Sequence, residues 1–143
     1  MAYFTWDPEL ETGHDDIDSQ HRSLFELANA LERAIQNDVS GRAEDIALAD
    51  AVYGLVDYVV EHFAAEEALM VACGYPGLGP HRALHEELSG KVLTVMARYT
   101  NGEELACAEL APLICDLLTG HIEQHDKSVV RFLIQVETQR SAQ

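Results

Sequence analysis

Apolar side chains recur in steps of three and four along most of the chain. Ile17, His21, Leu24, Ala28, Leu31 and Ile35 share one face of a helix predicted over about residues 17–37. Asp16 or Asp18 can cap its start, and Asn37-Asp38 with Ser40-Gly41 ends it. A second helix is predicted over 42–73, with Leu48, Val52, Leu55, Val59, His62, Glu66 and Met70 near one face. Gly74-Tyr75-Pro76-Gly77 breaks it. Pro80, lacking an amide proton, belongs in the first turn of a third helix over 80–100, whose stripe runs His81, His85, Leu88, Val92, Val95, Tyr99. Pro112 places the first turn of a fourth helix, over 112–138, after a connection of about ten residues with room for a short turn of its own. Its stripe begins Ile114, Leu117, His121 and would continue in phase as His125, Ser128, Phe132 and Gln135, which is mostly polar. Shifted by one residue it reads Asp126, Val129, Leu133, Val136. A single π-type turn between His121 and Asp126 would produce that slip.

Four helices on short links predict an all-α, up-down-up-down four-helix bundle, a single domain over 1–143. An extended N-terminal arm (1–15), carrying Phe4, Trp6 and Pro8, lies on its outside. Nine Lys and Arg against 25 Asp and Glu give a net charge of −16. That charge repels nucleic acid and anionic membrane, so neither is expected as a partner. No apolar run approaches the roughly 18 residues of a membrane span. Met1 to Leu10 shows no signal peptide, and three cysteines cannot all pair internally; a reduced, cytoplasmic protein is expected. Cys107 and Cys115 read as small packed hydrophobes.

The inward stripes also carry His21, His62, Glu66, His81, His85, His121 and Asp126, where leucine would be expected. Each would cost several kcal/mol, in rough terms, if buried unpaired. His62 and Glu66, like His81 and His85, are spaced i, i+4 and project from one face. Five histidines from four helices all fall on the inward phase, which chance placement does not readily produce. Seven ligands are too many for one tetrahedral zinc. They suit two six-coordinate ions if both carboxylates bridge, with a shared oxo or hydroxo group and one position left open. Imidazole and carboxylate suit iron, although ligand type alone also admits manganese or zinc. An open position on an oxidisable metal pair is a place for dioxygen. His14 and His125 fall outside the set and read as solvated surface residues, with contact to a metal ligand or adventitious metal binding as the alternative.

The chain resembles the hemerythrin family over nearly its whole length. The resemblance rests on Ile17-Asp18-Ser19-Gln20-His21, His62-Phe63-Ala64-Ala65-Glu66-Glu67, Gly74-Tyr75-Pro76, His81-x-x-x-His85 and His121-Ile122-x-x-x-Asp126-Lys127. It implies that His81, His85 and His121 bind one iron, which is then saturated. His21 and His62 would bind a second, whose sixth position is left for O₂. Glu66 and Asp126 would bridge the two irons beside an oxo or hydroxo ligand. It also implies reversible O₂ binding in a dry pocket, for which Leu117, Leu118 and Ile122 are candidate walls. The family often carries Trp where this chain has Leu117, and the smaller side chain would open that pocket.

The expected function is therefore a non-heme di-iron protein that binds O₂ reversibly, as carrier, store or supplier, and not an enzyme. The alternatives are a di-iron enzyme acting on peroxide, nitric oxide or ferrous iron, and a module sensing O₂ or iron for a separate protein partner. The His-rich ligand set, with no spare inward acid to donate protons, favours binding over turnover. Oligomeric state is not legible from the residues.

Overall fold

The computed structural model describes residues 4–36 and 42–141. The helices are α1 (Asp15–Gln36), α2 (Arg42–Cys73), α3 (Leu78–Thr100), α4 (Cys107–His121) and α5 (Lys127–Ser141), with short 3₁₀ turns at Pro8–Leu10 and Glu104–Ala106. A π-helical turn, Ile122–Asp126, joins α4 to α5, so the two form one rod. α1 packs on α2 and α4, and α3 packs on the same two: a four-helix bundle. Leu24, Leu31, Val52, Leu55, Leu110 and Ile114 are among the side chains that fill its core. No helix among the described residues is long and apolar enough to cross a membrane.

The π turn falls where the apolar stripe slips. Beyond it Asp126, Val129 and Leu133 are buried, whereas Ser128 and Gln135 are exposed. The wide turn adds one residue to a helical turn and so carries Asp126, five residues after His121, onto the same inner face.

The structure departs from the sequence reading at several points. α4 begins at Cys107, so Pro112 lies inside the helix and not in its first turn. Its missing amide forfeits one backbone hydrogen bond. Burial of Cys107, Leu110 and Ala111 holds that segment helical, as does Arg98, which bonds Glu103 (2.9 Å) and grips Glu109 with both guanidinium nitrogens. α3 begins at Leu78, which still leaves Pro80 in its first turn. The arm is not simply extended, because its 3₁₀ turn buries Leu10. The Asn37-Asp38 and Ser40-Gly41 stop lies outside the described residues.

The cap of α1 also differs. His14, expected on the solvated surface, is half-buried and accepts the Ile17 amide on Nδ1 (3.2 Å). Asp18, proposed as a cap, instead reaches back from inside the helix. Its Oδ1 accepts the Thr12 amide (2.8 Å) and hydroxyl (2.7 Å), and its Oδ2 accepts the Gly13 amide (3.1 Å). Burial pushes the Asp18 carboxyl up, but the hydrogen bonds from Thr12, with help from Gly13, outweigh it and hold the group below its ordinary value. A carboxyl lowered by folding stabilises the protein above its unfolded pKa and loses that contribution as pH falls through its folded pKa. Asp18→Ala is expected to cost about 1–3 kcal/mol at pH 7. Its deficit against wild type in urea unfolding should shrink below about pH 4; an unchanged deficit at pH 3 would contradict this role.

Candidate metal centre

All seven inward polar residues are buried, none more than 5% exposed. The helices bring them into one cluster, toward the end of the bundle where α1 and α3 begin. α2 ends in a left-handed Gly74 (φ 71°), with the Tyr75 amide bonded to the Met70 carbonyl (2.9 Å), and the short turn that follows returns α3 alongside α2. His81 and His85 thereby come to face Glu66.

The donor atoms divide into two groups, each spanning less than 4.8 Å: Glu66, His81, His85, His121 and Asp126; and His21, His62, Glu66 and Asp126. Both carboxylates belong to both groups, one oxygen to each. Glu66 Oε1 lies 2.8 Å from His81 and 3.4 Å from His85, while Oε2 lies 3.4 Å from His62 and 3.9 Å from His21. Asp126 Oδ1 lies 3.0 Å from His121 and 3.2 Å from His81, while Oδ2 lies 3.2 Å from His21.

The residues fit a metal pair. The Nε2 atoms of His81, His85 and His121 form a triangle with sides of 3.0, 3.1 and 3.1 Å. Neutral rings there would set lone pairs against one another, because one proton can serve only one side of the triangle. At a metal–nitrogen bond of about 2.1 Å, ligands at right angles stand about 3.0 Å apart and tetrahedral ones about 3.4 Å apart. The triangle therefore matches one face of a six-coordinate ion. On the other side, both His21 nitrogens, His62 Nε2, Glu66 Oε2 and Asp126 Oδ2 are buried without a well-aligned hydrogen bond, as is Asp126 Oδ1, which faces the triangle. Such orphaned atoms are costly unless a cation joins them.

Charge in the cluster is arranged for the same purpose. Burial and the neighbouring Asp126 push Glu66 up, yet His62, His81 and His85 overcome both and bring it to about 2. Asp126 is likewise held well below its ordinary value by His121, His21 and His81, against burial. Burial lowers His81, but the Asp126 and Glu66 carboxylates that it faces raise it to about 9. Two ionised carboxylates thus sit among histidines in a buried core, a negative charge that a metal cation would offset.

The surroundings contain residues that sequence reasoning missed. Gln20 Oε1 meets His62 Nδ1 at 2.7 Å, and Glu67 Oε2 meets His85 Nδ1 at 3.3 Å. Phe63 stacks on His85 (centroids 4.1 Å, planes 11° apart), and Trp6 of the arm lies 6.4 Å from His21. His125 is half-buried beside His121 and His81 (5.3 and 6.1 Å), a neighbour of the cluster and not a freely solvated residue. Burial and these two rings hold it below the ordinary histidine value. Cys115 is packed as expected, its thiol pushed up to about 12 by burial and the nearby Asp116 and Glu32.

A small cavity of about 10 Å³, lined wholly by apolar side chains, lies between α2, α3 and α4. Leu117 and Leu118 wall it, opposite Val59, Phe63, Leu88 and Val92. Phe63 separates it from the rings of His62, His85 and His121. Ile122 is fully buried but does not line it.

Fold and site together define a four-helix bundle built around a buried His/Glu/Asp metal-binding cluster. Residues 12–133 match the family described as "Hemerythrin HHE cation binding domain". The chain belongs to the hemerythrin family. It is 35% identical to the bacteriohemerythrin of Pseudomonas paraeruginosa, over 91% of this chain and 81% of that protein. It is 30% identical to the bacteriohemerythrin of Methylococcus capsulatus, over 89% and 94%. A crystal structure of wild-type hemerythrin superposes with a TM-score of 0.78 at 28% identity, covering 92% of this chain and 98% of that one.

Proposed function

We propose that this protein holds two iron ions and binds O₂ reversibly, as a carrier, store or local supplier and not as an enzyme. The observation that carries the reading is the splitting of Glu66 and Asp126, each offering one oxygen to each donor group. Two adjacent ions sharing two carboxylates are the arrangement such splitting serves. His81, His85 and His121 would hold one ion and His21 and His62 the other. With three protein nitrogens and two oxygens on the first, and two of each on the second, the second is the more open. The near right-angle spacing of the histidine triangle favours a six-coordinate ion over tetrahedral zinc, and the mixed imidazole–carboxylate set suits iron.

The bound pair would supply the electrons that O₂ binding requires. The chain's own part is to hold the ions at fixed spacing and keep water and acids away. Leu118 and Ile122, within one helical turn of His121, and Phe63, whose ring lies 6.1 Å from it, are buried and supply no proton. Asp18, a buried acid, has both oxygens taken by Thr12 and Gly13. Glu67, half-buried at the edge, is turned to His85 and Arg82. Apolar neighbours, together with acids already engaged elsewhere, favour release of O₂ unchanged over its reduction.

Stopped-flow mixing of reduced, iron-loaded protein with O₂ tests this. A spectrum that persists and is reversed by removing O₂ is expected. Rapid bleaching, with consumption of peroxide, nitric oxide or ferrous iron, would show an enzyme instead.

A further inference from the structure

The two donor groups differ in what lies behind their histidines. His85, in the three-histidine group, has Glu67 Oε2 3.3 Å from Nδ1, and the other oxygen of Glu67 accepts Arg82 Nε at 2.9 Å. The row runs inward from solvent: the Arg82 side chain is 48% exposed, Glu67 21% and His85 2%. Local sequence builds it. Glu67 follows Glu66 and Arg82 follows His81, so each sits one step round its helix from an inward donor, at the seam between α2 and α3. His62, in the two-histidine group, has only the neutral Gln20 amide oxygen on Nδ1, at 2.7 Å. His21, the other ring of that group, has no hydrogen-bond partner on Nδ1.

We propose that Glu67 and Gln20 are positioning residues that make the two metal positions electronically unequal, a carboxylate behind the three-histidine ion and a neutral amide behind the two-histidine ion. This rests on the di-iron reading above. In each case the Nδ1 hydrogen is donated outward, which fixes the tautomer and leaves the Nε2 lone pair for the metal. A carboxylate acceptor draws the proton further from the ring and makes the imidazole a stronger electron donor than an amide does. The anion also favours the more highly charged state of the nearby ion. The three-histidine position is thereby biased toward ferric iron, and the two-histidine position, where O₂ would bind, stays readier to remain ferrous. Arg82 pins the Glu67 carboxylate in place.

The test uses the full-length protein, stripped of metal and titrated anaerobically with ferrous iron, followed by redox titration of the loaded form. Glu67→Gln should lower ferrous affinity at one of two positions about 10- to 100-fold and move the midpoint potential upward. Gln20→Glu should move the potential downward. Opposite signs are the signature, since a purely structural defect has no reason to reverse with the charge. Glu67→Gln matching wild type in affinity and potential, or both variants moving the potential the same way, would overturn the proposal. Wild-type protein that takes up no ferrous iron would instead overturn the di-iron reading and this inference with it.

Discussion

Glu66→Ala is expected to remove both metal ions from the protein. Glu66 is 1% exposed, and its two oxygens serve different donor groups, so one substitution subtracts a ligand from each. His62→Ala, by contrast, takes a donor from the two-histidine group alone and should empty that position first. The loss reaches beyond the site, because a ligand held only by the folded state stabilises it by mass action. At one hundred times its Kd an ion contributes about 2.7 kcal/mol. For a chain of this size that corresponds to a fall in Tm on the order of 10 °C when it is lost. Iron analysis with calorimetry of wild type and variant checks both parts. Two irons per chain retained in Glu66→Ala would show that the carboxylate does not bridge.

The second large effect is expected at Leu118, which is 2% exposed and walls the apolar cavity beside Phe63. Leu118→Ala should destabilise the protein by about 2–5 kcal/mol, the cost of lost burial plus the enlarged void. The enlarged space remains lined by Val, Leu and Phe, which offer water no hydrogen-bond partner. Leu118→Asn is different, because an amide gives incoming water a hydrogen-bond partner next to the site. The O₂-bound form should therefore decay faster in Leu118→Asn than in Leu118→Ala, although both are destabilised. Urea unfolding measures the first effect and the decay of the oxygenated spectrum the second. Equal decay in the two variants would mean that dryness at this wall does not protect the complex.

Much of the fold and the donor set is legible in the residues because burial of a polar side chain leaves a mark on helical periodicity. His21, His62, His81, His85 and His121 interrupt apolar stripes, so their inward phase shows before any coordinates. The π turn is legible for the same reason: the apolar face after His121 returns one residue late. What escapes is whatever lacks such a mark. Gln20 and Glu67 stand one step off the inward face, where polar residues are ordinary, and only the direction of the histidine rings reveals them. His14 caps α1 with an imidazole nitrogen in a position usually filled by Ser, Thr, Asp or Asn. Pro112 reads as a first turn because its missing amide is costly inside a helix. The burial of Cys107, Leu110 and Ala111 and the Arg98–Glu109 pair that outweigh this cost depend on tertiary contacts. The acidity, for its part, says little about function, since among the described residues only Glu66 and Asp126 of the acidic side chains belong to the cluster.

The buried cluster is proposed to hold two bridged irons. Iron per chain, measured with the optical spectrum of the purified protein under air, decides this. Two irons with the absorption bands of an oxo-bridged diferric pair are the predicted result. A single metal per chain, or two ions without those bands, would contradict it.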